Sequence, residues 1–137
     1  MKVGIVNLNS GNLFSIKKTI KNLGHDPHVC VDSNDLYSCD KIILPGVGSF
    51  NSAINLLKKF NYISILNDLV LKKGIHLLGI CLGMQLICKS STENGFNQGL
   101  SFIDLPVDSL ETLGCELSVP HIGWNNIIIN KNISILN

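Results

Sequence analysis

Short apolar runs alternate with longer amphipathic stretches through residues 3–88, and this alternation constrains the fold more than any other feature of the sequence. β-Branched and aliphatic residues predict buried strands at 3–6, 28–31, 41–44 and 75–80. Apolar residues at helical spacing predict helices at 12–23, 50–60, 63–73 and, more briefly, 81–88. Short strands joined through helices form βαβ units in a parallel sheet that is covered on both faces. The sequence therefore predicts an α/β fold with a parallel sheet flanked by helices.

Length and composition indicate one packed domain. The chain has 137 residues, of which 45% are apolar, and no internal repeat and no Pro- or Ser-rich linker divides it. The segment after Ser90 is richer in turn residues, and it predicts a loop followed by short antiparallel or edge strands. We therefore predict a single domain over residues 1–137.

Charge and cysteine content exclude several classes of function. The formal net charge is +1 and all 11 basic residues are lysines, which excludes a strongly basic nucleic-acid binder. No apolar run approaches the ~20 residues that cross a membrane. The 5 cysteines include no C-x-x-C pair, so they favour a reducing compartment over a disulfide framework. We predict a cytoplasmic protein that binds neither nucleic acid nor membrane.

The motif with the most chemical content is Gly79-Ile80-Cys81-Leu82-Gly83, where the fourth predicted strand meets the short helix. G-x-C-x-G is the thiol form of a nucleophile elbow. The sharp turn strains the central residue, and the flanking glycines remove Cβ atoms that would collide there. Cys81 would then project at the carboxyl end of the sheet, where doubly wound folds bind ligands. An inert, buried cysteine between two packing glycines is the alternative that this pentapeptide leaves open.

A second motif, Pro45-Gly46-Val47-Gly48-Ser49, follows the third predicted strand. A glycine-rich turn at this place can present backbone N–H groups to an anion. The N–H groups of Val47 and Leu82 are candidates for stabilising an oxyanion above Cys81. A phosphate-binding loop is a rival interpretation, although no G-K-[ST] follows, and a plain strand-to-helix turn is another.

Together the two motifs resemble those of the class I (triad) glutamine amidotransferases, whose pattern is Pro-Gly-x-Gly followed by Gly-x-Cys-x-Gly-x-Gln. More closely, the chain resembles the glutaminase subunits of imidazole glycerol phosphate synthase, a family of histidine biosynthesis. Supporting segments occur at residues 10–13 and in Pro120-His121-Ile122-Gly123-Trp124-Asn125. The resemblance implies a flavodoxin-like fold, of which residues 1–137 would form the N-terminal two thirds of one amidotransferase domain.

The resemblance also implies roles for individual residues. Cys81 would attack the side-chain amide of glutamine and form a glutamyl thioester, with release of ammonia. Gly48, Gln85 and Glu93 would hold the substrate. The family usually carries another acidic residue immediately before Glu93, where this chain has Thr92. No cofactor and no metal is implied.

Residues for a partner interface follow from the same resemblance: Asn12, Pro120, His121 and Trp124. They would face a (β/α)8-barrel cyclase in a heterodimer, and ammonia would cross this interface without mixing with solvent. From the sequence alone, the indole of Trp124 is slightly favoured as core filler, whereas the resemblance favours an interface anchor.

A cysteine nucleophile of this kind needs a histidine base and an acid that orients it. The resembled family keeps both in a His-Pro-Glu-like segment well beyond the nucleophile, and no His-Pro-Glu occurs in this sequence. The histidines that do occur are poor substitutes by their predicted positions: His25, His28, His76 and His121. We therefore expect the chain to be incomplete at the C-terminus and to hydrolyse glutamine poorly or not at all.

Other functions stay open at this point. A catalytically inactive chain could act as a module that only docks on the cyclase. A different cysteine-elbow enzyme of the same fold, such as one of oxidative stress or aldehyde detoxification, would need neither glutamine-binding residues nor a path for ammonia. A metal site formed by His25, His28 and Cys30 is conceivable, but a surface turn is the favoured interpretation of that segment.

Overall fold

A computed structural model describes residues 1–9, 11–120, 122–126 and 128. The elements follow in the order β1 Lys2–Val6, α1 Leu13–Asn22, β2 Asp26–Cys30, a 3-10 helix Ser33–Ser38, β3 Lys41–Gly46, α2 Phe50–Lys59, α3 Tyr62–Leu66 continued by π-helical turns Asn67–Lys72, β4 Leu77–Cys81, α4 Leu82–Leu86, β5 Cys88–Ser91, β6 Asn97–Gln98 and β7 Ile103–Val107. Within these described ranges, no helix combines the length and the apolar character that a membrane crossing requires.

The main sheet has four parallel strands in the order β2-β1-β3-β4, which confirms the predicted α/β fold. Helices cover both of its faces. Val6 of β1 belongs to the larger apolar cluster with α2 and α3, whereas Ile5 packs with Ile20 of α1. Both β1 residues are fully buried, as expected of a strand inside a parallel sheet. This core fixes the carboxyl ends of β3 and β4 side by side.

The predicted boundaries need correction around the elbow. The fourth strand was expected at 75–80, but it runs from Leu77 to Cys81, so the candidate nucleophile is its last residue. The helix expected at 81–88 ends at Leu86, and Cys88 begins β5. The helix ends there because the carbonyl of Leu86 accepts a hydrogen bond from the N–H of Leu100 at 2.8 Å. A residue much later in the chain therefore replaces the next helical hydrogen bond.

A second, smaller sheet follows, with the strand order β6-β5-β7. The prediction of short antiparallel or edge strands after Ser90 is confirmed by β6, which pairs antiparallel to β5. β7 is an edge strand of this sheet, which also agrees with the prediction, and it pairs parallel to β5 with a register shift between Cys88 and Ser90. Because β5 and β7 are parallel, the residues that follow each of them emerge at the same end of this sheet.

Candidate active site

Cys81 adopts the strained backbone of a nucleophile elbow. It ends β4 and caps the N-terminus of α4 with φ 56° and ψ −117°, a conformation that residues with a Cβ rarely adopt. Its side chain is exposed. The alternative of a cysteine buried between packing glycines is therefore wrong, and the reactivity of Cys81 stays a prediction.

The glycines on either side of Cys81 are required by steric contact. A Cβ on Gly79 would lie 2.7 Å from the carbonyl oxygen of Gly83 and equally close to the backbone of Met84. A Cβ on Gly83 would lie 1.7 Å from the carbonyl oxygen of Leu44 in β3. Because the obstructing atoms belong to the backbone, no side-chain rotation can relieve either contact. The tight passage from strand to helix therefore depends on both glycines.

The loop after β3 lies directly beside the elbow. Gly46 is the register partner of Cys81, and a Cβ on Gly46 would meet the Cβ of Leu82 at 3.2 Å. Gly48 has φ +105°, a left-handed backbone that favours glycine. The structure thus brings the Val47 and Leu82 segments to one edge of the sheet, as predicted. Their role as oxyanion donors stays a prediction.

Glu93 connects the small sheet to the same loop. Its Oε2 accepts a hydrogen bond from the backbone N–H of Phe50 at 2.8 Å. Phe50 is the first residue of α2, two positions after Gly48. The side-chain amide of Asn97 also donates a hydrogen bond to the backbone carbonyl of Glu93 at 2.9 Å. Both the side chain and the backbone of Glu93 therefore accept hydrogen bonds from other segments.

Gln85 and Glu93 share a cavity of about 390 Å³. Its lining consists of Gln85, Ser91, Thr92, Glu93, Val107, Asp108, Ser109 and Thr112. Cys81 does not line this cavity. It stands at the N-terminus of α4, four residues before Gln85 in the sequence. The structure thus brings together Gln85 and Glu93, the two side chains predicted to hold substrate.

Sequence reasoning missed two features of this site. The contact between Glu93 and the Phe50 N–H joins segments that carry no shared pattern in the sequence. Asp108 reaches the cavity only because β7 pairs parallel to β5, and that pairing was not predicted. A lone acidic residue after a turn-rich segment gives no signal that could have identified it.

The residues predicted to face a partner are exposed where the structure describes them. Asn12 caps α1, with its side-chain oxygen accepting from the N–H of Ser15 at 3.1 Å. Pro120 is exposed, and Trp124 is fully exposed at 104%, so its interpretation as core filler is wrong. His121 lies outside the described residues.

The histidines inside the described ranges lie away from the elbow. His28 is in β2, which begins at Asp26, two residues before the strand predicted at 28–31, and its Nε2 is 3.9 Å from Asp35 Oδ2. His76 precedes β4, at the opposite end of that strand from Cys81, and its Nδ1 is 2.7 Å from Lys41 Nζ. In the described part of the chain, no three His, Cys, Asp or Glu residues group closely enough to hold a metal ion.

The cysteines differ in how readily they can react. Burial, with a smaller effect of the neighbouring Cys39, raises the pKa of Cys30 to about 12. Cys30 and Cys39 are both buried, whereas Cys88 and Cys115 are partly exposed and Cys81 is exposed. Cys81 is therefore the thiol that a reagent in solution reaches most easily.

The fold and the elbow define an α/β protein with an exposed cysteine on a strained turn at the carboxyl edge of its sheet. The model of the SNO glutamine amidotransferase family matches residues 7–112, which is more than half of the chain. The chain therefore belongs to the glutamine amidotransferase family. A crystal structure of a glutamine amidotransferase has the same fold, with a TM-score of 0.68 and 21% identity, over 77% of this chain and 55% of that one.

Individual relatives indicate a narrower group within this family. The chain is 42% identical over 137 residues to the imidazole glycerol phosphate synthase subunit HisH of Blochmanniella floridana, covering 100% of this chain and 67% of the relative. It is 37% identical over 133 residues to HisH 1 of Campylobacter jejuni (strain RM1221), covering 97% of this chain and 66% of the relative. The predicted resemblance is thus confirmed. The chain spans about two thirds of the length of these relatives.

Proposed function

We propose that the chain is the glutaminase subunit of an imidazole glycerol phosphate synthase. The observation that carries this proposal is the elbow at Cys81, an exposed thiol on a strained backbone beside the loop that contains Val47. We further propose that residues 1–137 are the N-terminal two thirds of a single amidotransferase domain, and that the protein works in the cytoplasm. Similarity to HisH subunits over at least 94% of this chain supports the assignment.

The reaction would begin with attack of the Cys81 sulfur on the side-chain amide carbon of glutamine. A carbon–sulfur bond forms, the carbon–nitrogen bond breaks, and the nitrogen takes up a proton and leaves as ammonia. Water then hydrolyses the glutamyl thioester, which gives glutamate and restores the thiol. The N–H groups of Val47 and Leu82 would stabilise the negative oxygen of the tetrahedral intermediates.

Substrate recognition is assigned to Gly48, Gln85 and Glu93. Gln85 and Glu93 line one cavity, and Glu93 is held against the start of α2, two residues beyond Gly48. Carboxylate and amide groups in a half-enclosed cavity suit the polar, zwitterionic end of glutamine. Gln85 follows Cys81 by four residues through the short helix α4, so an amino acid bound at Gln85 would extend its side-chain amide toward the sulfur.

The partner would be a (β/α)8-barrel cyclase, bound as a heterodimer through Asn12, Pro120, His121 and Trp124. An exposed indole is costly to leave in water and is a frequent anchor of protein interfaces, and Trp124 is fully exposed. The cyclase would use the ammonia to form imidazole glycerol phosphate and an aminoimidazole carboxamide ribotide. No step of this scheme in the glutaminase subunit uses a cofactor.

A second candidate function, a partner-binding module without turnover, is favoured by one observation. Of the described histidines, His25 and His28 lie at or beside β2, and His76 lies at the far end of β4 from Cys81. A triad cysteine that lacks its base loses several orders of magnitude in turnover. Binding of the cyclase without release of ammonia from glutamine would favour this module over the glutaminase.

The proposed function is tested by labelling with a chloroketone analogue of L-glutamine, from which a thiolate displaces chloride. Mass spectrometry should find the label on Cys81, and L-glutamine should slow the labelling. Cys81→Ser should abolish it, whereas the matched variant Cys88→Ser should leave it unchanged. Labelling at Cys88 or Cys115 with Cys81 unmodified would reject Cys81 as the nucleophile.

A further inference from the structure

The connection between β5 and β6, residues 92–96, is closed by two polar residues that face each other across the sheet. β5 and β6 are antiparallel, and Ser91 is the register partner of Asn97. Within the connection, Asn94 has a left-handed backbone with φ 55°. A residue with a Cβ keeps such a conformation only where the surrounding structure fixes it. The side chains of Ser91 and Asn97 are in place to do so.

These two side chains bind both backbone groups of Glu93. The Glu93 N–H donates a hydrogen bond to Oγ of Ser91 at 3.1 Å, and Ser91 is buried. The Glu93 carbonyl accepts a hydrogen bond from Nδ2 of Asn97 at 2.9 Å. The same Nδ2 donates to the carbonyl of Gly95 at 2.8 Å, so the amide uses both of its N–H groups. Asn97 therefore holds two carbonyl groups of the connection, one on either side of Asn94.

The carboxylate of Glu93 depends on this backbone for its place in the cavity. Glu93 lines the cavity of about 390 Å³ together with Gln85, and its Oε2 accepts from the Phe50 N–H at 2.8 Å. Glu93 is exposed, so close packing does not hold its side chain. In the described ranges, the ion pairs do not involve Glu93. Hydrogen bonds to its backbone and to its carboxylate are therefore what set its position.

We propose that Asn97 is a positioning residue of the substrate cavity, which holds the backbone of Glu93 so that its carboxylate is oriented for glutamine. This inference rests on the proposed function, because it takes Glu93 as a substrate-binding residue. Asn97 itself does not line the cavity, and it acts only through Glu93. Loss of its amide should weaken binding of a glutamine-like molecule and leave the reaction of the bound molecule with Cys81 unchanged.

The test measures modification of Cys81 by the chloroketone analogue of L-glutamine over a range of concentrations. This separates the dissociation constant of the reagent from its maximal rate. We expect Asn97→Ala to raise the dissociation constant about tenfold, as for loss of one or two hydrogen bonds, with the maximal rate unchanged. Asn97→Asp keeps the size of the side chain but replaces the donor amide by a carboxylate, and it should raise the dissociation constant at least as much. Alkylation of Cys81 by iodoacetamide should be unchanged in both variants.

A matched control and a double variant separate positioning from a general effect on the fold. Gln98→Ala removes the neighbouring amide, whose Nε2 donates to Oγ of Ser101 at 2.7 Å outside the cavity, and it should leave the dissociation constant unchanged. In a chain that already carries Glu93→Ala, Asn97→Ala should change the dissociation constant by less than about twofold. The reason is that a residue acting through the Glu93 carboxylate has nothing left to position.

Three results would contradict the inference. Equal dissociation constants for the wild-type chain and Asn97→Ala, or effects of Asn97→Ala and Glu93→Ala that multiply in the double variant, would overturn the role of Asn97 alone. Equal slowing of the chloroketone and of iodoacetamide by Asn97→Ala would overturn it too, because Asn97 would then support the elbow itself. Failure of the chloroketone to label wild-type Cys81, with iodoacetamide still reacting, would overturn the proposed function and the inference with it.

Discussion

Substitution of Gly83 by alanine should separate a steric requirement of the elbow from a mere preference for a small residue. The added Cβ would lie 1.7 Å from the carbonyl oxygen of Leu44, which is half of the ordinary contact distance of 3.4 Å, and 2.7 Å from the carbonyl carbon. Both atoms belong to β3, a buried strand of the main sheet, so α4 and β3 must move apart. Overpacking costs about 1–3 kcal/mol, and we expect the upper end because backbone must move.

The assay is urea unfolding of the wild-type chain, Gly83→Ala and the control Gly123→Ala. Gly123 has no atom within 4 Å of an added Cβ, so its substitution should change the free energy of unfolding by less than about 0.5 kcal/mol. Gly83→Ala should also slow modification of Cys81 by the glutamine chloroketone, because the elbow is displaced from the loop that follows β3. Equal stability of the two alanine variants would refute the steric argument for the elbow.

Three further predictions concern the core and the sheet edge. The pKa of the Cys30 thiol rises from 9.0 in the unfolded chain to about 12 in the folded one, so the stability that this thiol contributes should be complete below pH 9 and be lost from pH 9 to 12. Urea unfolding across this range should show a shallower fall of stability for Cys30→Ala than for the wild-type chain, and an identical slope would contradict the prediction. Tyr62→Phe removes a buried hydrogen bond of 2.8 Å to the Cys30 carbonyl and should lower the free energy of unfolding by about 1–2 kcal/mol. The control Tyr37→Phe removes an exposed hydrogen bond to Asp68 and should lower it by less than about 0.5 kcal/mol. Leu78 is 47% exposed on β4, which is an edge strand of the described sheet, so Leu78→Lys should reduce self-association of the chain in analytical ultracentrifugation. An equal reduction by Leu71→Lys, which lies outside the strand, would show that added charge and not the strand edge controls self-association.

The parts of the site that the sequence predicts are those with local causes. Gly79, Cys81 and Gly83 are close in the chain, and the strain between them depends on backbone within the elbow and on the neighbouring strand. The glycine-rich turn at Gly46 follows from the end of a buried strand in the same way. Motifs of this kind therefore indicate both the turn and the reactive side chain at its apex.

The remaining parts depend on pairing between distant segments, which no local pattern contains. The helix α4 is shorter than predicted because the Leu86 carbonyl accepts from Leu100. Asp108 reaches the cavity because β7 runs parallel to β5 with a shifted register. A one-residue change in that register would turn its side chain to the other face, so the position of this carboxylate cannot be deduced from spacing.

In the proposed function, the main sheet carries the residues that react with substrate and the small sheet carries the residues that bind it. The carboxyl ends of β3 and β4 supply the candidate nucleophile and the candidate oxyanion amides, whereas the carboxyl ends of β5 and β7 supply the acidic residues of the cavity. The hydrogen bond from the Phe50 N–H to Glu93 joins the two groups. Since a small thiol reagent needs only the first group and a glutamine-like reagent needs both, Glu93→Gln should lower the rate of the glutamine chloroketone while leaving iodoacetamide unaffected. An equal loss with both reagents would mean that Glu93 supports the elbow itself and not the binding of the amino acid.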